Sequence, residues 1–270
     1  MLQKLIAGAT LACGLLAANL VFASNCPAHY VDGRLPEIRN QKLNAATREL
    51  CYGVFGVMHS GLTRTPLWSA EHLTAANLAA AQGLSRENSF HPERKLPEHH
   101  RAELADYARS GFDRGHMAPN GDMPDRRSQQ ESFTLANMVP QDGENNRNVW
   151  AGIEAVVRKM AQREGDLYVV TGPAFVGARL ARIGNVIVPS HLYKLVYSPR
   201  QGAGAAYFIE NRADAQYQII SIAQLEGRIG IDLLPSLSAR QKEALLPLPG
   251  VRARKPSRQR GGANNDRSQS

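Results

Sequence analysis

The sequence predicts a mixed α+β domain, a mainly antiparallel sheet core with packed helices. Three observations carry that expectation. Short runs rich in β-branched and aromatic residues recur from Tyr52 to Ile209, one stretch from Trp150 to Ala161 has a clear helical apolar period, and no internal repeat or linker interrupts them. The chain has 270 residues, 43% hydrophobic and 21% charged, which is enough for one substantial core.

Taken in order, the elements begin after a leader. The chain opens Met-Leu-Gln-Lys and then runs from Leu5 to Phe22 without a charge. Val21-Phe22-Ala23 supplies small or short residues for cleavage, so residues 1–23 read as a signal peptide. Dilution of the run by Ala, Gly and Thr disfavours a membrane anchor. The expectation is an exported protein, periplasmic or secreted, with no stable membrane association once the signal is removed. Loss of the leader discards Cys13 and leaves Cys26 and Cys51. An even pair in an oxidising compartment predicts a disulfide stapling the N-terminal arm to the first strand.

Tyr52 to Met58 reads as that first strand and Pro66 to Leu73 as the second, with alternating faces. Pro92 and Pro97 exclude a long helix between Leu84 and Arg101. Asp113 to Met117 should be extended and end in the Pro119-Asn120-Gly121-Asp122 turn. In the helix, Trp150, Ile153, Val157 and Ala161 face the core, while Asn146 and Glu154 border that face two turns apart. Leu167 to Thr171, ended by Gly172-Pro173, suits a strand buried on both faces. Val186–Val188, Leu192–Tyr197 and Ala205–Ile209 are further strands, and Ser221 caps a short helix running to about Gly230. Lys194, in an apolar strand, could face phosphate but reads rather as an exposed edge residue, and His59, His72 and His191 read as structural.

Residues 24–250 are thus expected to form a single domain, and residues 251–270 a disordered basic tail. From Arg252 on, six basic residues face only Asp266, with almost nothing apolar to bury. Most of the formal charge of +8 therefore sits in the tail, and the folded body is nearly balanced. Charge alone does not name a partner.

The chemistry concentrates in Asp113-Arg114-Gly115-His116 and in the segment downstream as far as Glu154. His116 titrates near neutrality and can take a proton from water. Asn146 offers a hard neutral oxygen suited to Mg²⁺ or Ca²⁺, and Glu154 can orient a metal-bound water. Arg86 and Arg114 present forked donors to phosphate oxygens. A base, an oxygen-bound metal and phosphate-directed arginines describe phosphodiester hydrolysis.

These residues carry a resemblance. Asp113 to His116, Asn137-Met138-Val139-Pro140-Gln141, the Asn146, Trp150 and Glu154 spacing, and Arg86 with Phe90 together resemble the DNA/RNA non-specific endonucleases, a family that includes Serratia nuclease and mitochondrial endonuclease G. Val170-Thr171-Gly172-Pro173 and the Val188 to Lys194 segment resemble core strands of that family. The resemblance implies a ββα-metal (His-Me finger) unit and cleavage of DNA and RNA with little sequence preference. It implies His116 as general base, Asn146 as the direct ligand of Mg²⁺, with Mn²⁺ as a substitute, and Glu154 as holder of metal-bound water. Arg86 would stabilise charge at the scissile phosphate and Asn137 would support the site. Arg114 and Asp113 are assigned to substrate binding or to orienting neighbours. Partners would be the nucleic acids, a second copy of the chain and an inhibitor protein. Two rivals remain at this level, a phosphodiesterase for small phosphate esters and a nucleic-acid-binding scaffold that no longer cuts.

Overall fold

The computed structural model describes residues 24–251 apart from residue 178. The expected leader and the tail from Arg252 onward lie outside the described residues. Val251, the first residue assigned to the tail, is tied down: its N–H donates to the Tyr217 hydroxyl at 2.8 Å.

The β-rich runs form β1 (Thr47–Cys51), β2 (Phe55–Ser60), β3 (Thr65–Thr74), β4 (Phe112–His116), β5 (Met138–Asp142), β6 (Asp166–Ala174), β7 (His191–Ser198), β8 (Ala203–Glu210) and β9 (Gln218–Ile220). Seven of them make one sheet in the order β9-β8-β7-β6-β3-β2-β1, antiparallel throughout. Adjacent β3 and β6 are separated in the chain by a long insertion, and β4 and β5 pair with each other inside it. Every residue assigned to catalysis, substrate or metal lies in that insertion.

Alternation along the strands produces two apolar layers. One face packs Trp68, Ala70, Val170, Leu195 and Phe208 against Leu225 and Ile229 of the helix Ile222–Ile229. The other packs Leu73, Val169, Val196 and Tyr207 against Trp150, Ile153 and Val157. The helix Ala151–Glu164 lies on the sheet face from which the insertion rises, so the core seats the site directly. Among the described residues no helix is long and apolar enough to cross a membrane.

Several expectations shift. The segment read as the first strand contains a turn, because Tyr52-Gly53-Val54 connects β1 to β2. Val186–Ile187 pairs only with Arg182–Ile183 in a separate hairpin. Lys194 is the clearest correction. It lies on β7, flanked by β6 and β8, with 1% of its surface exposed, and donates from Nζ to Thr171 Oγ1 at 2.6 Å. An apolar strand is the mark of a central position, and the ammonium follows its strand inside. Cys26 and Cys51 form a disulfide with Cα atoms 5.7 Å apart, at the end of β1.

Candidate active site

The β4–β5 hairpin positions His116. Across it Asp113 pairs with Gln141, Gly115 with Val139 and His116 with Met138. Gly115 is required by close approach: a Cβ there would lie 2.1 Å from Gln141 Oε1. His116 ends the strand, and Asn137 fixes the backbone just beyond it. Asn137 Oδ1 accepts from Ala118 N at 2.9 Å and from Ser69 Oγ at 2.8 Å. Its Nδ2 donates to Ala118 O and Ser132 O, both at 2.9 Å. Asn137 is wholly buried, so it knots the His116 loop to β3 instead of meeting a ligand.

His116 is 8% exposed and its Nε2 has no hydrogen-bond partner. Its ring lies 5.0 Å from Phe133 and 5.7 Å from Phe90, centroid to centroid. Burial, helped by the charges of Arg86 and Arg114, pushes its pKa down to about 3. The imidazole is therefore neutral at physiological pH, the protonation state a base needs.

Asn146 begins a π-helical turn, Asn146–Trp150, that runs into the long helix. The helix starts three residues earlier, where Asp142 caps Glu144 and Asn145. Asn146 is thus not a cap, and its amide is available for other work. Its Nδ2 donates to Asp113 Oδ2 at 3.0 Å, while Asp113 Oδ1 accepts from Arg147 Nη2 at 2.5 Å. A carboxylate only accepts, so this contact fixes which end of the Asn146 amide faces Asp113 and presents Oδ1 elsewhere. Asp113 accordingly orients its neighbours.

A cleft of about 680 Å³ is lined by Asn146, Arg86, Arg114 and Phe90 among others. Arg114 stacks on Phe90, guanidinium carbon 4.1 Å from the ring centroid, and Arg86 lies 5.1 Å from that of Phe133. Those aromatic faces hold the two cations in place without neutralising them. Glu154 follows on the long helix, partly buried, and burial raises its pKa against the opposing charges of Lys194 and Arg158.

Three contributors, Arg158, Asp122 and Glu71, escaped the sequence reading. Arg158 donates to Asp122 Oδ1 at 2.8 Å, and Glu71 is buried on β3 with Oε2 unpartnered. With Lys194 they surround Glu154 with charge. Arg158 was within reach, since it falls four residues after Glu154 on one helix face. Glu71 gave no such signal, because only strand pairing brings it near Lys194 and Glu154.

The donor set suits a hard divalent cation. Asn146 Oδ1 receives no protein hydrogen bond among the described residues, and a neutral amide oxygen is a ligand for Mg²⁺, Mn²⁺ or Ca²⁺, not for a thiolate-seeking metal. The group of three sulfur and carboxylate ligands elsewhere, Cys26, Glu49 and Cys51, includes the disulfide sulfurs.

Residues 37–240 match the model of the family described as DNA/RNA non-specific endonuclease. The chain belongs to that family. It is 38% identical over 166 residues to Nuclease C1 of Cunninghamella echinulata var. echinulata, covering 56% of this chain and 66% of the relative. It is 30% identical over 214 residues to human mitochondrial nuclease EXOG, covering 71% of this chain and 58% of the relative. The chain thus spans between about half and two thirds of the length of such relatives. A chain in the crystal structure of the EndoG/EndoGI complex superposes with a TM-score of 0.64 at 26% identity, covering 73% of this chain and 89% of that one.

The relatives correct one expectation. EXOG, the yeast mitochondrial nuclease and endonuclease G are named as mitochondrial proteins, which overturns the reading of a periplasmic or secreted destination.

Proposed function

We propose that this chain is a Mg²⁺-dependent endonuclease that hydrolyses phosphodiester bonds of DNA and RNA with little sequence preference. The observation that carries the reading is the cleft where Asn146, oriented by Asp113, stands with Arg86 and Arg114, beside a neutral, buried His116. His116 Nε2 is sealed in the protein, which leaves Nδ1 to take the proton of the attacking water. Arg86 and Arg114 hold the non-bridging oxygens and stabilise the charge that grows on them. Asn146 would hold the metal, with Glu154 holding its water; when bound, Mg²⁺ supplies Lewis-acid stabilisation of the phosphate and leaving oxygen. Lack of sequence preference follows from contacts that go to phosphates, which carry no base information.

Residues 24–250 act as one nuclease domain in this reading, with the basic tail adding non-specific attraction to polyanions. An inhibitor protein is a fitting partner, given a structural neighbour solved in a complex described as EndoG inhibition. A second copy of the chain is the other, checked by light scattering.

The test is a metal series on supercoiled plasmid and on RNA with full-length protein. Mg²⁺ should support cutting of both polymers, Mn²⁺ should substitute and Zn²⁺ should not. Metal-independent cutting, or cutting with Zn²⁺ alone, contradicts the assignment of Asn146 as the ligand.

A further inference from the structure

The cleft is larger and more cationic than one scissile phosphate requires. Arginines 86, 109, 114 and 147 line it, against Asp113. Arg86 and Arg114 stand on the aromatic rings beside His116, and Arg147 is neutralised by Asp113. Arg109 is left over. It is exposed and has no ion-pair partner among the described residues.

The wall that bears it is firmly built. Asp106 accepts from Glu103 N at 2.8 Å and from Asn185 N at 2.8 Å, tying the short helix Leu104–Tyr107 to the rest of the fold. Tyr107, 5% exposed, lines the same cleft and its hydroxyl has no partner. Arg109 itself has a φ of 57°, a left-handed conformation that non-glycine residues rarely adopt, held between the buried Tyr107 and the start of β4. An anchored wall that presents an uncommitted cation to the cleft is a place for an anionic ligand.

We propose that the Leu104–Phe112 wall is a second phosphate-binding subsite, in which Arg109 takes a phosphate flanking the scissile one on a polynucleotide strand. The proposal rests on the nuclease reading of the same cleft and specifies its substrate: a strand with several consecutive phosphates, and not a single small diester. Leu104, 42% exposed in the cleft, adds apolar surface for the base or sugar between the two phosphates.

Binding is measured apart from cutting, by fluorescence anisotropy of a labelled single-stranded decanucleotide and a labelled dinucleotide in chelator, with full-length protein. Arg109→Ala should weaken the decanucleotide about tenfold and narrow the gap between the two ligands. It should also reduce the slope of log affinity against log salt by about 0.7, the value of one strand phosphate. Arg109→Lys should recover part of the slope. Arg163, exposed near the far end of the long helix, is the control for loss of a generic charge. Equal effects of Arg109→Ala and Arg163→Ala, or an unchanged slope, overturn the subsite. Absence of cutting by wild type with Mg²⁺ would instead overturn the nuclease reading, and leave the binding result to stand by itself.

Discussion

Asn146 Nδ2 donates to Asp113 Oδ2 across 3.0 Å, joining the helix to the strand that ends in His116. The contact makes Asp113 an orienting residue, since both its oxygens are engaged by Asn146 and Arg147. Partners behind a metal ligand typically matter about 10- to 100-fold, so Asp113→Ala should raise the Mg²⁺ concentration for half-maximal cutting by about that factor. An unchanged Mg²⁺ titration would remove Asp113 from this role.

Asn137 has all four of its hydrogen bonds inside the protein. Asn137→Leu strands the Ala118 and Ser132 groups in a dry site, at a cost of about 3 kcal/mol or more. Denaturant unfolding should show that loss. Full stability with reduced cutting would point to a direct role at the substrate.

His59 carries a pH dependence of folding. Buried to 1% exposure, its Nε2 meets His100 O at 2.9 Å while Nδ1 has no partner, and burial lowers its pKa to about 4. The unfolded chain protonates this residue below about pH 6.5, whereas the folded chain waits until about 4. Its contribution is therefore complete above pH 6.5 and lost as pH falls toward 4, on the order of 3 kcal/mol. Urea midpoints at about pH 7 and about pH 4.5 should draw together in His59→Gln; an unaltered difference refutes the assignment.

The Cys26–Cys51 bridge closes a loop with a sequence separation of 25. In the chain-entropy model it stabilises by about 3–4 kcal/mol, so a Cys26→Ser, Cys51→Ser double variant should unfold at correspondingly lower denaturant. Equal midpoints would mean that the arm is held by Glu49, which bonds Ser24 and Asn25, without the bridge.

Local pattern made much of this legible. Alternation found β3, the apolar period found the long helix, and Asp113 and Asn146, singled out by their order in the chain, meet in the fold. What the sequence concealed depends on register and on bends. Ser69, Thr171 and Lys194 lie side by side only because β3, β6 and β7 pair as they do. The helix count placed Asn146 by steps of about 100°, but a π-helical turn resets the phase there. For Asp113 the sequence left substrate binding and the orienting of neighbours both open, because its bond to Asn146, 33 positions away, shows only in the fold.

The most direct measurement is cleavage of supercoiled plasmid by the full chain in Mg²⁺, beside the same protein in chelator and His116→Ala in Mg²⁺. The account predicts cutting by the wild type, none in chelator, and a loss of at least about 10²-fold in His116→Ala with its circular dichroism unchanged. Undiminished cutting by His116→Ala, or by wild type without metal, would contradict it.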